Sequence, residues 1–156
     1  MTFSAGPIRL TGDIATEGLA RRLAGLARPG DTFLLWGDIG AGKSTLARAF
    51  IRALTSPSEE VPSPTFTLVQ TYATSKGEVW HADLYRLSGS DEVIELGLAE
   101  AFDTAICLVE WPDRMGPDLP RNALNLRLVA EDFSHALSFD GPGLWADRLE
   151  NVLNAA

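Results

Sequence analysis

A glycine-rich segment at residues 37–44, Gly-Asp-Ile-Gly-Ala-Gly-Lys-Ser, constrains the fold of this chain more than any other feature. It fits the phosphate-loop pattern of a glycine, four residues and then Gly-Lys-Ser. The apolar run at residues 33–36 lacks alternation, which is typical of a strand covered on both faces, and residues 44–54 favour a helix. Because a phosphate loop needs this order of strand, turn and helix, the segment predicts an α/β domain.

The residue types of this loop suit a ligand with several phosphate groups. Glycines let the backbone N–H groups wrap the phosphates, and the start of the following helix adds partial positive charge. Lys43 is placed to reach the outer phosphates, and the Ser44 hydroxyl is a suitable ligand for Mg²⁺. The other interpretation is a glycine-rich turn with an exposed lysine, although a chance match occurs in roughly one chain of this length in a few hundred.

Two acids follow predicted buried strands and are candidates to assist Mg²⁺. Asp83 comes after residues 79–82, and Glu110 comes after residues 106–109. Open α/β sheets bind ligands at the carboxyl ends of their strands, and Mg²⁺ needs carboxylates or water besides one hydroxyl. The pattern alone also fits acids that are solvated at a strand end or that cap a helix.

Four further residues have more than one interpretation. Thr65 lies in Ser-Pro-Thr at 63–65, where phosphate-loop switches place a hydroxyl near the γ-phosphate, but a rigid turn is an equal alternative. Trp111 suits stacking on a base or a partner, or burial. His81 and Cys107 are too few and badly spaced for a zinc site, so we expect both to pack or to form local hydrogen bonds.

The order of the predicted elements indicates a mixed sheet. Strands are predicted at residues 8–10, 33–36, 68–71, 79–82, 106–109, 124–129 and 136–139, and helices after Asp13 as N-cap, at 44–54, weakly at 92–102, and at 144–153. Continuous apolar strands favour a parallel centre, and the last two strands alternate as exposed antiparallel edges do. We predict a single α/β domain over residues 1–156, a P-loop NTPase-like three-layer sandwich whose mixed sheet has a parallel centre and antiparallel flanking strands.

Charge and hydropathy narrow the possible partners. The chain has 13 Lys and Arg against 21 Asp and Glu, and the resulting net charge of −8 would repel a phosphate backbone. Any RNA involved should therefore be held by another protein. No segment of the sequence approaches the roughly 18 apolar residues that a bilayer helix needs, so we expect a soluble, cytoplasmic protein without membrane contact.

Two classes of phosphate-loop protein fit poorly. GTPases that read guanine use Asn-Lys-x-Asp, whereas Lys43 and Lys76, the lysines of this chain, do not follow an asparagine. Small nucleotide kinases clamp a second phosphate with a lid rich in arginine and lysine, and after Arg86 this chain offers only four arginines. A hydrolase or switch fits better, with a small-molecule kinase kept as an alternative.

Five segments together resemble the bacterial TsaE family, also called YjeE. They are GDIGAGKST at 37–45, SPTFTLV at 63–69, HADLYRL at 81–87, ELGLAEAF at 95–102 and LVEWPDR at 108–114. They follow the order and spacing of that family and cover roughly residues 10–135. The phosphate loop alone is generic, whereas the second, third and fifth segments in this order are typical of the family.

The resemblance implies a P-loop ATPase that docks on the TsaB–TsaD heterodimer. In that complex TsaD transfers a threonylcarbamoyl group to an adenosine beside the tRNA anticodon, and the group comes from a separate synthase. The implied cofactors are ATP and Mg²⁺, and tRNA is reached only through the complex. We expect the free chain to be monomeric.

The resemblance also implies roles for individual residues. Ser44 and Glu110 are implied to hold Mg²⁺, and the implied catalytic residues are Asp83, Glu110 and Thr65. The residues implied to bind the nucleotide are Asp13, Asp38, Ile39, Gly40, Ala41, Gly42, Lys43, Ser44, Thr45 and Trp111. Many relatives carry an arginine near the position of His135, so no role is assigned to that residue.

A switch is the mechanism that these residues favour. We expect ATP to order residues 63–67 and hydrolysis to release them, so that the partner complex distinguishes two states. Hydrolysis by the isolated chain should be slow, because no residue is an obvious arginine finger. Two other functions stay open at this point: a small-molecule kinase, and an assembly factor that binds ATP without turnover.

Overall fold

One mixed sheet organises the part of the chain that the computed structural model describes, residues 1–38, 40–64, 68–87 and 96–154. Its strands are β1 (Thr2–Leu10), β2 (Thr32–Trp36), β3 (Val69–Thr74), β4 (Gly77–Asp83), β5 (Ile106–Glu110), β6 (Leu124–Ala130) and β7 (His135–Pro142). They lie in the order β1-β7-β6-β2-β5-β4-β3. β6, β2, β5 and β4 run parallel, while β7 and β3 pair antiparallel with this centre. The predicted parallel centre with antiparallel flanks is confirmed.

Helices cover both faces of this sheet. They are α1 (Gly12–Leu26), α2 (Lys43–Leu54), α3 (Leu98–Thr104), a 3₁₀ segment (Pro112–Asp118), α4 (Trp145–Arg148) and α5 (Glu150–Asn154). Phe33 and Leu35 of β2 pack in one core with α1 and α2, and Leu34 between them packs in a second core with α3. Because both faces are covered, residues 33–36 need no polar position. The predicted three-layer sandwich is confirmed, and none of the described helices is long and apolar enough to cross a membrane.

The prediction that the two alternating strands are exposed edges is wrong. β6 pairs in parallel with β2 and antiparallel with β7, and β7 is covered in turn by β1. Leu124, Leu126 and Leu128 of β6 are buried, whereas Asn125 and Arg127 between them are partly or fully exposed. Alternation therefore reports a sheet face that is open to solvent, not a missing neighbour. The edges of the sheet are β1 and β3.

The prediction of Asp13 as an N-cap is also wrong. α1 begins at Gly12 with Thr11 as its N-cap, and Asp13 lies in the first turn, where its charge favours the helix dipole. Other bounds differ too: β1 starts at Thr2 because it pairs along most of β7, and the helix predicted at 144–153 is divided at Leu149. The helix predicted at 92–102 falls partly outside the described residues, and α3 begins at Leu98.

The register of the parallel strands brings the loop and the two acids together at the carboxyl ends of β2, β4 and β5. Asp83 at the end of β4 pairs with Glu110 at the end of β5, and Glu110 pairs with Leu35 of β2. β2 ends one residue later at Trp36, so the glycine-rich loop that follows starts beside both carboxylates.

Candidate functional site

A cleft of about 410 Å³ opens at the carboxyl edge of the parallel strands. Its lining comes from the glycine-rich loop, the start of α2, the segment between α2 and β3, the ends of β4 and β5 with the residues just after them, and the start of β7: Gly40, Gly42, Lys43, Ser44, Thr45, Ser63, Asp83, Tyr85, Glu110, Trp111 and His135. The structure therefore brings most of the predicted loop residues together with both predicted acids and the predicted tryptophan.

Glycine is required where the loop leaves the sheet. Gly37 has φ +148°, and a Cβ there would lie 2.6 Å from the Leu128 carbonyl oxygen and 3.0 Å from the Ala41 Cβ. Gly42 has φ +99° and is the N-cap of α2. Since L-residues rarely adopt such backbone angles, these positions let the chain turn sharply from strand into helix. The N–H of Ala41 donates to the carbonyl of Asp38 at 3.0 Å, which closes the turn.

Five predicted site residues lie outside the cleft or outside the described residues. Asp38 is exposed and Ala41 is buried beneath the loop. Ile39 and Thr65 lie outside the described residues, so their roles stay predictions. Asp13 lines a neighbouring cleft of about 390 Å³ that also contains Thr45, so the two clefts meet at the first turn of α2.

Lys43 is held by neutral groups at the mouth of the loop. Its Nζ donates to the carbonyl oxygen of Gly37 and lies 3.5 Å from the centre of the Trp111 ring. The side chain is buried, and burial lowers its pKa from the ordinary value, against the opposing charges of Glu110 and Asp83. A carbonyl and an indole face compensate a cation less fully than an anion does, so this ammonium is poised for an anionic ligand.

The two acids are buried side by side. The Ser44 hydroxyl donates to Oε1 of Glu110 at 3.2 Å, which links the first turn of α2 to the end of β5. Asp83 is 7% exposed, and its Oδ1 accepts the Tyr85 N–H at 3.1 Å. Burial, and to a lesser degree the charge of Glu110, raises the pKa of Asp83 above its ordinary value, although the Tyr85 hydrogen bond opposes this shift.

His81 contacts one of these acids directly. Its Nε2 lies 2.6 Å from Oε2 of Glu110, and both side chains are only 3% exposed. The prediction that His81 and Cys107 pack or form local hydrogen bonds is confirmed, since Cys107 is buried in β5. The identity of the partner was not predicted, because a single histidine has no spacing signal. The one sequence signal for a role at the site is that His81 lies in the same strand as Asp83, two residues before it.

Two aromatic rings form one wall of the cleft. Trp111 is half-buried with a left-handed backbone at φ 58°, and its ring lies 4.8 Å from that of Tyr85. On the opposite side, His135 Nε2 lies 3.4 Å from the carbonyl oxygen of Gly40. Sequence reasoning assigned no role to Tyr85 or His135. His135 reaches the loop because β6 runs beside β2 and the following turn returns the chain to the same edge.

The oxygen donors at this edge fit Mg²⁺. Among the described residues no cluster of three or more His, Cys, Asp or Glu side chains could hold a metal alone. Mg²⁺ is commonly bound through one or two carboxylates together with phosphate oxygens and water, and Ser44 and Glu110 supply a hydroxyl and a carboxylate beside the glycine-rich loop. Two buried neighbouring carboxylates also repel each other, and a divalent cation would relieve that repulsion.

Comparisons with known proteins find similar proteins that share one description. The family model described as threonylcarbamoyl adenosine biosynthesis protein TsaE matches residues 10–136. The chain is 36% identical over 130 residues to the tRNA threonylcarbamoyladenosine biosynthesis protein TsaE of Bacillus subtilis, covering 82% of this chain and 80% of that one. It is 36% identical to the Rickettsia bellii protein of the same name over 125 residues, covering 79% and 87%.

Two further relatives extend these comparisons. The TsaE of Rickettsia felis is 41% identical over 104 residues, which are 67% of this chain and 61% of that protein. The crystal structure of Bacillus subtilis YdiB matches with a TM-score of 0.76 and 27% identity, covering 99% of this chain and 97% of that one.

Proposed function

Because the chain belongs to the TsaE family of threonylcarbamoyl adenosine biosynthesis proteins, we propose that it binds ATP with Mg²⁺ at the glycine-rich loop and hydrolyses it. The family membership connects the chain to the synthesis of threonylcarbamoyladenosine in tRNA. ATP hydrolysis is proposed here as its contribution to that modification.

The observation that carries the proposal is the contact between α2 and the end of β5. Ser44 immediately follows Lys43 of the loop, and its hydroxyl reaches Oε1 of Glu110 at 3.2 Å. A phosphate-binding lysine, a hydroxyl and a buried carboxylate thus meet within one cleft, beside a second carboxylate on Asp83. This combination suits a nucleotide whose phosphates are accompanied by a divalent cation.

Each of these groups has a proposed part in the reaction. Backbone N–H groups of the loop and Lys43 bind the phosphates, and Ser44 and Glu110 hold Mg²⁺, which supplies charge neutralisation when bound. Asp83 lies beside them at the end of β4 and orients the attacking water. Thr65 is retained as a proposed switch residue. The neighbouring cleft, which holds Asp13 and Thr45, is proposed for the nucleoside.

The proposed partners are the TsaB–TsaD heterodimer and, through it, tRNA. The net charge of −8 disfavours direct binding to a phosphate backbone, so the partner complex would hold the RNA. The chain would then act in the cytoplasm as a nucleotide-driven switch that resets the complex after each transfer.

The test is ATP hydrolysis by the purified chain, alone and with TsaB–TsaD and tRNA. Lys43→Ala removes the charge that faces the outer phosphates and should lower ATP affinity by about tenfold or more. Arg28→Ala is the matched control, because it removes a positive charge at the opposite edge of the sheet, before β2. We expect partner-dependent hydrolysis that Lys43→Ala abolishes and Arg28→Ala leaves intact.

Variants of the acids separate binding from turnover. Asp83→Asn and Glu110→Gln should reduce kcat more than ATP affinity, since both act on the cation and water rather than on the phosphates. ATP binding without turnover in any mixture would instead favour an assembly factor. Phosphorylation of an added metabolite pool would favour a small-molecule kinase, and either result contradicts the proposal.

A further inference from the structure

We propose that His81 is a positioning residue that fixes the orientation of the Glu110 carboxylate and so determines which oxygen is offered to a divalent cation. The inference rests on the proposed function, because it concerns how this chain prepares a carboxylate for the Mg²⁺ that accompanies ATP. It assigns a role to a residue that lies outside the glycine-rich loop and does not line the cleft.

The contact between the two side chains is short and shielded from solvent. His81 Nε2 and Glu110 Oε2 are 2.6 Å apart, which is short for a hydrogen bond between a ring nitrogen and a carboxyl oxygen. Each side chain is 3% exposed, so water does not compete for this bond. The parallel register sets the pair, since His81 of β4 lies opposite Leu108, two residues before Glu110 in β5.

His81 occupies one carboxylate oxygen and leaves the other facing the loop. Oε2 is taken by the imidazole, while Oε1 faces the Ser44 hydroxyl at 3.2 Å. The terminal torsion of a glutamate is broad, so nothing within the side chain itself chooses between its two oxygens. Hydrogen bonds from neighbouring residues make that choice, and partners of this kind are known to tune metal ligands.

The other ring nitrogen argues against a purely space-filling role. Nδ1 of His81 is buried, and within the described ranges it has no hydrogen-bond partner. A buried polar atom without a partner is unfavourable, and an apolar side chain of similar size would avoid that cost. Among the described residues, the His81 side chain forms its hydrogen bond with Glu110. This bond to the carboxylate therefore explains why the position holds a histidine.

The test compares side chains that differ in their reach toward Glu110. His81→Gln carries an amide N–H near the position of Nε2, whereas His81→Asn has the same chemistry on a shorter side chain. His81→Leu removes the donor altogether. For each variant, the Kd of a non-hydrolysable ATP analogue is measured by calorimetry in EDTA and again in Mg²⁺, and binding of Mn²⁺ to the analogue complex is followed by electron paramagnetic resonance.

We expect all three variants to bind the analogue in EDTA as the parent protein does. His81→Asn and His81→Leu should lose about tenfold or more of the affinity that Mg²⁺ adds, and of Mn²⁺ affinity, whereas His81→Gln should recover most of it. Val79→Ala, a cavity variant at a buried position of the same strand, should retain the full effect of Mg²⁺. Because Gln and Asn are both polar, their comparison decides the question even if His81→Leu does not fold.

Three results would overturn the proposal. One is an unchanged Mg²⁺ effect in His81→Asn, and another is an equal loss of affinity with and without the cation. The third is an additional loss when His81→Asn is combined with Glu110→Gln, because a residue that acts through Glu110 adds nothing once that carboxylate is gone. Failure of the proposed ATP site would look different, since the parent protein itself would not bind the analogue, and failure of the proposed hydrolysis would appear as binding without turnover.

Discussion

Burial has different consequences for two titratable side chains on neighbouring strands, Asp83 of β4 and Cys107 of β5. Asp83 lies at the rim of the cleft, where a cation would compensate its charge, while Cys107 lies three residues before Glu110 and faces the core under α3. Burial raises the pKa of both groups. For Asp83, burial makes the ionised form unfavourable, and a bound cation would relieve this destabilisation. For Cys107, burial makes the thiol chemically inert.

Asp83→Asn should stabilise the metal-free protein at neutral pH. Because burial raises the pKa of Asp83 above 3.8, the folded state binds this proton more tightly than the unfolded state does. As the pH rises from 3.8 through the raised pKa of the folded state, ionisation of Asp83 therefore lowers the free energy of unfolding. Below pH 3.8 the carboxyl is protonated in both states, and this destabilisation is absent. Urea unfolding in EDTA should show a gain for the variant at pH 7 that shrinks toward pH 4.

The control for this measurement is Asp103→Asn, which changes an exposed carboxyl on α3. It should shift the free energy of unfolding by no more than about 0.5 kcal/mol at either pH. A loss of stability in Asp83→Asn at pH 7 would mean that the carboxylate is already compensated in the free protein.

Cys107 should resist alkylation while the protein is folded. Burial raises the pKa of its thiol to about 12. At pH 8 about one thiol in ten thousand would then be ionised, and the thiolate is the reactive form. Iodoacetamide labelling followed by mass spectrometry should show modification only in urea. Rapid labelling of the native protein would contradict this burial.

At the scale of elements, the conformation of the glycine-rich loop depends on the close packing of Gly37, which follows β2, against β6. Gly37→Ala would place a Cβ 2.6 Å from the Leu128 carbonyl oxygen, at a φ of +148°. We expect a loss of about 3 kcal/mol in the free energy of unfolding, from strain and crowding together. Gly40→Ala, at φ +85° with no described heavy atom within 4 Å of the new Cβ, should cost only the strain, about 1–2 kcal/mol.

Denaturant unfolding of both variants decides this prediction. Similar losses would show that the backbone angle matters and that contact with β6 does not. Neither result depends on a bound nucleotide, since the comparison is made in the free protein.

Hydrophobic pattern predicted the centre of the sheet, because residues 33–35 of β2 and 106–109 of β5 are apolar and are buried on both faces of the sheet. The same pattern misassigned β6, because alternation reports how a face is covered and carries no information about hydrogen-bonded neighbours. The loop and both acids were predictable, since a spacing rule and the ends of buried strands mark them. His81, Tyr85 and His135 were not, because they reach the site through strand register and a chain reversal that distant pairing determines.

At the scale of the whole molecule, the C-terminal helices are fastened to the start of β2, the strand before the glycine-rich loop. Trp145 of α4 is fully buried, lies 5.6 Å from the Phe33 ring and donates from Nε1 to the carbonyl of Asn122 at 2.8 Å. Arg148 lies over the Trp145 ring and bonds Asp31, the residue before β2, at 2.5 Å. The C-terminal helices thus cover the core near the start of β2, at the end of the strand opposite the cleft.

Trp145→Ala should therefore destabilise the protein globally. We expect a loss of about 3–5 kcal/mol, from the cavity and from the unpaired Asn122 carbonyl. Leu144→Ala changes the neighbouring side chain, which is 52% exposed, and should cost less than about 1 kcal/mol. Calorimetric melting should show one transition that moves for Trp145→Ala. Melting of the C-terminal helices alone, before the rest, would contradict this coupling.

The stacking of Lys43 on Trp111 has a practical consequence. An ammonium 3.5 Å from the centre of an indole perturbs the excited state of that ring, and phosphate groups that draw the lysine away would remove the perturbation. We therefore expect the fluorescence emission of Trp111 to report the position of the Lys43 side chain. Trp111→Phe would remove that signal and leave the emission of Trp36, Trp80 and Trp145. The difference in emission between the parent protein and this variant would then report occupancy of the proposed site without an attached dye.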